Sequence, residues 1–255
     1  MPISMQVLTI PGGMNTATDV VYRPPNGGSS NRLTCFFPGD LSEFWYPGAN
    51  QGSAYADYKF SIEAVSWVVS SKIPDSFSLT VIKPFRVTDS YALYENFFPC
   101  DQHGTPDFTK TYATDAFLRV LRRISNAPTD TACSTKIELI GFSRGCAVVL
   151  ALLKERNPAI LGLAERVILI DPGSHIRNTT FPFTDRDYAS FPASIPVYVF
   201  SSPYQYDDPR RPWLRHEINE FVSKSMCSFD FLQNVDNSLE GHFDSISCAL
   251  DRLYA

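Results

Sequence analysis

The segment that most constrains the fold is a short turn around one serine, between a predicted strand and a predicted buried helix. Residues 141–145 read Gly-Phe-Ser-Arg-Gly, which matches the pattern G-x-S-x-G. An apolar, strand-like run precedes the turn at residues 136–140, and residues 146–153 follow it as a helix that is apolar on nearly every side. A side chain at either flanking glycine would collide with these elements. The pattern therefore predicts a sharp, strained turn that exposes the serine hydroxyl.

Strand-like and helix-like segments alternate along the chain, and the sequence contains no internal repeats. Strands are predicted where β-branched and aromatic residues cluster, and helices where apolar residues recur at helical spacing. The predicted strands are residues 6–10, 19–22, 32–37, 78–82, 136–140, 166–170, 196–200 and 229–232, and the predicted helices are residues 57–73, 117–124, 146–153, 213–222 and 243–254. The first three strands are close together in sequence and are expected to form a meander.

This alternation predicts one α/β domain over residues 1–255, with a doubly wound, mostly parallel sheet and helices on both faces. The strands at residues 166–170 and 196–200 are apolar enough for the middle of such a sheet. Together with the G-x-S-x-G turn, the pattern is typical of the α/β-hydrolase fold. Ligand sites in these sheets lie at the carboxyl ends of the strands, so we expect the chemistry in the loops that follow them.

Charge and composition exclude several classes of partner. A formal net charge of −5 and a pI near 5.4 give nucleic acid and anionic lipid surfaces no broad attraction. No stretch approaches the roughly 18 apolar residues of a transmembrane segment. The start of the sequence resembles neither a secretory signal nor an Arg-rich, Ser-rich transit segment, and the six cysteines form no C-x-x-C pair. We therefore expect a soluble, unprocessed, intracellular protein that does not bind nucleic acid.

Ser143 is the candidate nucleophile, and a histidine must serve as its general base. The alternative is an ordinary serine in a glycine-flanked turn. Among the four histidines, His216 lies opposite the apolar face of its predicted helix, His103 precedes the serine, and His175 belongs to a loop in the middle of the chain. His242 lies between the last predicted strand and the last predicted helix, where this fold places its base. We expect His242 to be the base rather than an ordinary loop histidine.

Two aspartates are candidates for the acid that orients the histidine. Asp208 follows the next-to-last of the strands after the serine, which is the commonest location of the acid. Asp171 ends the preceding strand and is part of an Asp-Pro turn like that of some lipases. For each of them the alternative is a turn-forming aspartate. The sequence leaves the choice open, with a slight preference for Asp208.

Two backbone N–H groups are the candidate donors of an oxyanion hole, the site that stabilises the negative oxygen formed during acyl transfer. One is the N–H of Arg144, directly after the serine. The other is the N–H of Asp40 in the Gly39-Asp40 turn that ends the third strand, where glycine lets the backbone turn inward. A plain surface turn is the alternative for Gly39 and Asp40.

Aromatic residues gather in the two longer loops and could line an apolar acyl pocket. They are Phe97, Phe98, Phe181, Phe183 and Phe191. A satellite core beneath these loops is an equal alternative. Residues 176–195 occupy the position of a lid, yet the segment is short. A small or extended substrate is therefore expected, rather than one enclosed by a cap domain.

These residues predict a serine esterase, lipase or thioesterase that forms an acyl-enzyme on Ser143 and releases it with water activated by His242. The chemistry requires no metal or organic cofactor, and the expected partner is a small acyl ester or thioester. Peptidase and acyltransferase reactions would use the same residues. The alternative from another class is a non-catalytic binding or scaffold protein that retains the fold, because fold alone does not imply activity.

The same residues resemble a hydrolase-like family named after an open reading frame on human chromosome two. The matching segments lie between about residue 32 and the C-terminus and are residues 36–40, 94–97, 139–146, 203–205, 208–209 and 242–243. The resemblance implies an α/β-hydrolase-like fold, a mitochondrial association, and an esterase or lipase activity without an established substrate. It implies functional positions at Ser143, His242, Asp208 and the Gly39-Asp40 turn. It also includes an aspartate at Asp171, so both acids remain candidates.

Overall fold

The computed structural model describes residues 5–11, 17–26, 32–39, 62–82, 86–87, 92–93, 97–98, 113–125, 135–173, 180–181 and 183–255. Three residues named above, Asp40, His103 and His175, lie outside these ranges. The other candidate site residues are described.

In the described part of the chain, eight strands form one sheet, and a separate pair of two-residue strands lies between residues 86 and 93. The strands are β1 (Gln6–Pro11), β2 (Ala17–Arg23), β3 (Arg32–Phe37), β4 (Ser78–Ile82), β5 (Arg86–Val87), β6 (Ala92–Leu93), β7 (Lys136–Phe142), β8 (Ala164–Ile170), β9 (Val197–Ser201) and β10 (Ser228–Phe231). Burial explains their composition, because β4 and the last four residues of β8 are entirely buried and consist mainly of aliphatic residues.

The order of strands in the large sheet is β1-β2-β4-β3-β7-β8-β9-β10. The six strands from β4 to β10 in this order are mutually parallel, whereas β2 is antiparallel to both β1 and β4. The chain passes from β3 to β4 on one side and then returns to β7 on the other side of β3. The carboxyl ends of β3 and β7 therefore form the topological switch point, where sheets of this kind bind their ligands.

Eight helices are described: α1 (Ile62–Lys72), α2 (Ala113–Ser125), α3 (Gly145–Glu155), α4 (Pro158–Leu163), α5 (Asp185–Ala189), α6 (Pro203–Tyr206), α7 (Pro212–Ser225) and α8 (Leu239–Tyr254). Helix α3 packs on β7, β3 and β8 and is also covered by α2, so its first nine residues are all buried. This burial accounts for its apolar character on nearly every side. None of the helices within the described ranges is long and apolar enough to cross a bilayer.

The predicted fold class is confirmed, since the sheet is mostly parallel and is accompanied by helices throughout. The expected meander of the first three strands is wrong. Strand β4 lies between β2 and β3 and pairs with both of them. The last helix begins earlier than predicted, at Leu239, so that His242 belongs to its first turn.

The buried carboxylate of Glu138 binds the C-terminal end of α8. Glu138 of β7 accepts hydrogen bonds from the hydroxyls of Thr34 and Tyr254, at 2.9 and 2.6 Å, and from Arg166 at 2.6 Å. Burial and the Glu138 carboxylate raise the pKa of Tyr254 well above its usual value, so the phenol stays protonated and donates. The last turn of α8 is thereby joined to β3, β7 and β8.

A buried arginine joins β2 to the end of α1. The guanidinium of Arg23 is fully buried and donates to the carbonyl oxygens of Ser70, Ile73, Pro74 and Phe77 at 2.8 to 3.3 Å. A helix leaves its last carbonyl groups without intrahelical partners, and a cation there also favours the helix dipole. Arg23 therefore satisfies one carbonyl group in the last turn of α1 and three in the loop that follows it.

Arg23→Met should lower the free energy of unfolding by on the order of 3 kcal/mol, because the apolar replacement leaves four buried or partly buried carbonyl groups without this donor. Urea unfolding monitored by tryptophan fluorescence measures the change. Arg123→Met is the matched control, since Arg123 is exposed on α2, and its effect should stay within about 0.5 kcal/mol. Equal stability of both variants would contradict the structural role of Arg23.

Candidate active site

Ser143 occupies a strained turn between β7 and α3. Its φ angle is 52°, which lies in the left-handed region that residues other than glycine seldom adopt. The flanking glycines are required by space: a Cβ on Gly145 would lie 1.9 Å from the carbonyl oxygen of Phe37, and one on Gly141 would lie 2.6 Å from Cα of Cys146. The turn that the sequence predicts is thus present, and Ser143 is only partly buried.

The backbone after β3 approaches this serine closely. A Cβ on Gly39 would lie 2.5 Å from Cβ and 3.0 Å from Oγ of Ser143. Gly39 is thus adjacent to the candidate nucleophile, in the position expected for the second oxyanion donor. The donor itself, the N–H of Asp40, lies outside the described residues, so its role stays a prediction. Arg144 follows the serine at the start of α3 with ordinary helical dihedral angles.

His242 is positioned by the start of α8. The side chain of Ser238 caps this helix by accepting a hydrogen bond from the N–H of Gly241 at 3.0 Å, and the N–H of His242 donates to the carbonyl oxygen of Ser238 at 2.9 Å. A Cβ on Gly241 would lie 1.9 Å from the carbonyl oxygen of Asp236, so only glycine fits before the histidine. His242 itself is buried, with 4% of its surface exposed.

Asp171 is the carboxylate that contacts His242. Nδ1 of His242 and Oδ2 of Asp171 are 2.6 Å apart, and the Asp171 side chain is fully buried. The carboxylate also accepts hydrogen bonds from the N–H and the hydroxyl of Ser202, at 2.7 and 2.5 Å, and from the hydroxyl of Ser201 at 3.4 Å. A buried carboxylate is tolerated when its oxygens are satisfied in this way, and the contact with Nδ1 leaves Nε2 as the free nitrogen.

The preference for Asp208 as the partner of His242 is corrected by these contacts. Oδ1 of Asp208 accepts from the backbone and side chain of Arg210, both at 2.9 Å, and Oδ2 accepts from Arg210 at 3.0 Å and Arg211 at 2.9 Å. Hydrogen bonds from Arg210 and then Arg211 hold the pKa of Asp208 well below its usual value, although burial opposes them. Asp208 is therefore occupied by arginines of its own loop.

Sheet register explains why Asp171 rather than Asp208 reaches the site. Phe142 of β7 pairs with Ile170 of β8, and the N–H of Ser143 donates to the carbonyl oxygen of Ile170 at 2.9 Å. Ser143 and Asp171 are consequently neighbours at the ends of adjacent parallel strands, roughly 5 Å apart between backbones. Asp208 comes only after β9 and the short helix α6.

The serine and the histidine belong to one site but are not hydrogen-bonded within the described residues. The imidazole of His242 packs on Phe142, the residue before Ser143, with ring centroids 4.6 Å apart. Hydrogen bonds between catalytic groups are often long or absent until substrate binds.

The phenylalanines proposed for a pocket belong mainly to packed clusters. Phe97 and Phe98 are buried, and the ring of Phe97 contacts that of Phe37 edge-on at 6.0 Å. Phe181, Phe183 and Phe191 all pack on Phe221 of α7, at 4.8, 5.8 and 5.7 Å. These contacts favour the satellite core over an acyl pocket.

The histidine that the sequence placed on the outer face of a helix, His216, is exposed, as expected.

Comparison with solved structures identifies the class of fold. A predicted CIB-like hydrolase from Thermoplasma acidophilum superposes with a TM-score of 0.58 at 14% identity, covering 99% of each chain. Est1E from Butyrivibrio proteoclasticus gives 0.56 at 11% identity over 97% of this chain and 96% of that one. An α/β serine hydrolase homologue from Coxiella burnetii gives 0.56 at 14% identity, covering 98% and 97%. The chain has the α/β-hydrolase fold.

The family is identified by sequence. A family model described as C2orf69 matches residues 6–127 and 122–226, and the chain belongs to this family. The mitochondrial protein C2orf69 homolog of Danio rerio is 23% identical over 217 residues, covering 75% of this chain and 64% of that protein. Mitochondrial protein C2orf69 of Homo sapiens is 23% identical over 251 residues, covering 73% and 64%. The match thus spans less than two thirds of each relative. Both relatives are mitochondrial by name, in agreement with the mitochondrial association that the resemblance implies.

Asp171→Asn should reduce turnover of an ester substrate by at least about a hundredfold, because the amide cannot hold the same histidine tautomer. Asp208→Asn should cost less than about tenfold in turnover but should lower stability by roughly 1 to 3 kcal/mol, because it leaves the buried Arg211 without its carboxylate. Initial rates and urea unfolding of both variants provide the comparison. A greater loss of turnover in Asp208→Asn would contradict the assignment.

Proposed function

We propose that this protein is a serine hydrolase that cleaves a carboxylic ester or thioester through an acyl-enzyme on Ser143. The observation that carries the proposal is the buried hydrogen bond between His242 and Asp171 at the end of the strand next to the Ser143 turn. A nucleophile on a strained turn, a base, and an acid bonded to that base are the three groups that acyl transfer by serine requires.

Each group has a defined role in the proposed reaction. Nε2 of His242 takes the proton as Oγ of Ser143 attacks the acyl carbon, and Asp171 stabilises the imidazolium that forms. The proton then passes to the leaving alcohol or thiol as its bond to the acyl carbon breaks. In the second half, His242 removes a proton from water, the hydroxide attacks the acyl-enzyme, and the proton returns to Ser143 as the carboxylic acid leaves.

Negative charge on the acyl oxygen must be stabilised in both tetrahedral intermediates. The N–H of Arg144 is the first proposed donor, since it belongs to the first residue after the nucleophile. The N–H of Asp40 is the second, and the approach of Gly39 to Ser143 supports it. Together they would form the oxyanion hole. None of these steps uses a metal ion or an organic cofactor.

Small or extended acyl substrates are favoured over large enclosed ones. In the described part of the segment between β8 and β9, which would act as a lid, there is one short helix, α5. The phenylalanines described there pack on α7. Two solved structures of the same fold are esterases by name, the esterase domain of a Rhodothermus marinus protein and esterase Est22. Esters and thioesters with short acyl chains are therefore the substrates to test first.

A fluorophosphonate probe should label the wild-type protein at Ser143, because an activated serine attacks the phosphorus centre as it would an acyl carbon. Peptide mass spectrometry locates the modified residue. Ser143→Ala should abolish labelling without lowering the melting temperature by more than a few degrees. A well-folded wild type that is not labelled would instead favour the non-catalytic alternative, a binding or scaffold protein with the hydrolase fold.

His242→Ala should remove at least about 99% of the hydrolysis of p-nitrophenyl acetate, since the base then cannot take the proton of Ser143. His216→Ala is the matched control and should hydrolyse this ester at the wild-type rate, because His216 is exposed on α7. Release of p-nitrophenol measures both rates. Similar losses in the two variants would show that the assay reports something other than this site.

A further inference from the structure

We propose that Tyr204 is a positioning residue that holds the imidazole of His242 in the orientation needed to serve Ser143. This inference rests on the proposed function, because it assigns a role in the same site. Tyr204 is part of the Pro203-Tyr204-Gln205 segment, which the proposed chemistry does not otherwise use. The observation behind it is a stacked contact between the two rings, with centroids 5.1 Å apart and planes inclined by 29°.

The hydrogen bond to Asp171 does not by itself fix the orientation of the His242 imidazole. A single bond at Nδ1 fixes one edge of the imidazole, but the ring can still tilt about that bond and move Nε2 away from Ser143. The planes of Tyr204 and Phe142 are inclined to the imidazole by 29° and 32°, and Phe243 contacts it edge-on with ring centroids 5.6 Å apart. Packing against these rings restricts the tilt. The imidazole is therefore held by one hydrogen bond and three aromatic contacts.

The aromatic ring also suits the charge that His242 acquires. When the base takes the proton of Ser143 it becomes an imidazolium, and the face of an aromatic ring attracts a cation, most strongly where water is excluded. His242 is buried, so the contact with Tyr204 is stronger in the charged state than in the neutral state. An interaction that grows as charge develops increases kcat more than it changes KM.

Tyr204 is itself held in place by Arg211, which is paired with Asp208. The guanidinium carbon of Arg211 lies 5.7 Å from the centroid of the Tyr204 ring, and Arg211 is bonded to Asp208 at 2.9 Å. The side chains of Arg211 and Asp208 are 9% and 3% exposed, so this ion pair is a buried, fixed support. Asp208 thus acts on the site indirectly, through Arg211 and Tyr204.

Another tyrosine on the same helix provides a matched control. Tyr206 of α6 is half-buried like Tyr204, and its ring contacts Phe229, Phe231 and the guanidinium of Arg215. Its hydroxyl donates to Asn219 at 2.8 Å. Among the described contacts of Tyr206 there is none with His242. A substitution at Tyr206 therefore disturbs α6 without removing the stacked ring.

Steady-state kinetics on p-nitrophenyl acetate test the proposal. Tyr204→Leu should lower kcat about tenfold while KM changes by less than about twofold. Tyr204→Phe, which keeps the ring, should restore kcat to within about twofold of the wild type, and Tyr206→Leu should leave kcat unchanged. The proposal is wrong if Tyr204→Leu keeps its kcat, if Tyr204→Phe loses as much as Tyr204→Leu, or if Tyr206→Leu loses as much.

A second readout does not need activity. In nuclear magnetic resonance spectra, the Cε1–H signal of His242, assigned by its absence in His242→Ala, should move toward the signals of exposed histidines in Tyr204→Leu but not in Tyr204→Phe. If the wild type is inert yet this shift occurs, the proposed hydrolase function fails, whereas the conclusion that Tyr204 fixes the orientation of the imidazole stands. If Tyr204→Leu does not fold, Tyr204→Met replaces it. A signal that is the same in all folded variants, or unfolding of both ring-free variants, would overturn the proposal.

Discussion

The hydrogen bond between Asp171 and His242 is the contact on which the rest of the site depends. Burying a carboxylate costs several kcal/mol unless partners satisfy its oxygens, and here the backbone and hydroxyl of Ser202 do so together with the imidazole. These hydrogen bonds also have a structural role. They fix β9, which leads into Ser202, and α8, which carries His242, against the end of β8. The loss of any one of these partners leaves the buried carboxylate less well compensated.

Helix α8 is bound to the sheet near both of its ends. Its first turn meets Asp171 at the carboxyl end of β8, and its last turn meets the buried Glu138 near the start of β7 through Tyr254. A helix of 16 residues is roughly 24 Å long, so the two anchors restrain sliding along the sheet as well as rotation. The position of the imidazole is thus set partly by a hydrogen bond at the other end of the same helix.

Much of the fold and part of the site could be predicted from local pattern. The strand, turn and helix around Ser143 form one continuous segment whose glycines are dictated by close backbone contacts, so the sequence predicts them directly. The order of the strands is not local, and the insertion of β4 between β2 and β3 leaves no mark in the spacing. The choice between Asp171 and Asp208 depends on which strand lies next to β7. One local signal was available: Arg210 and Arg211, directly after Asp208, could occupy that carboxylate.

The central claim is that Ser143, activated by His242 and Asp171, forms a covalent acyl-enzyme. The most direct measurement is intact-protein and peptide mass spectrometry of the wild type, quenched within the first turnover of p-nitrophenyl butyrate. The account predicts that one butyryl group appears on Ser143 as p-nitrophenol is released and that it disappears as the ester is consumed. Release of p-nitrophenol with no acylated protein, or with the acyl group on another residue such as Cys146, would contradict it.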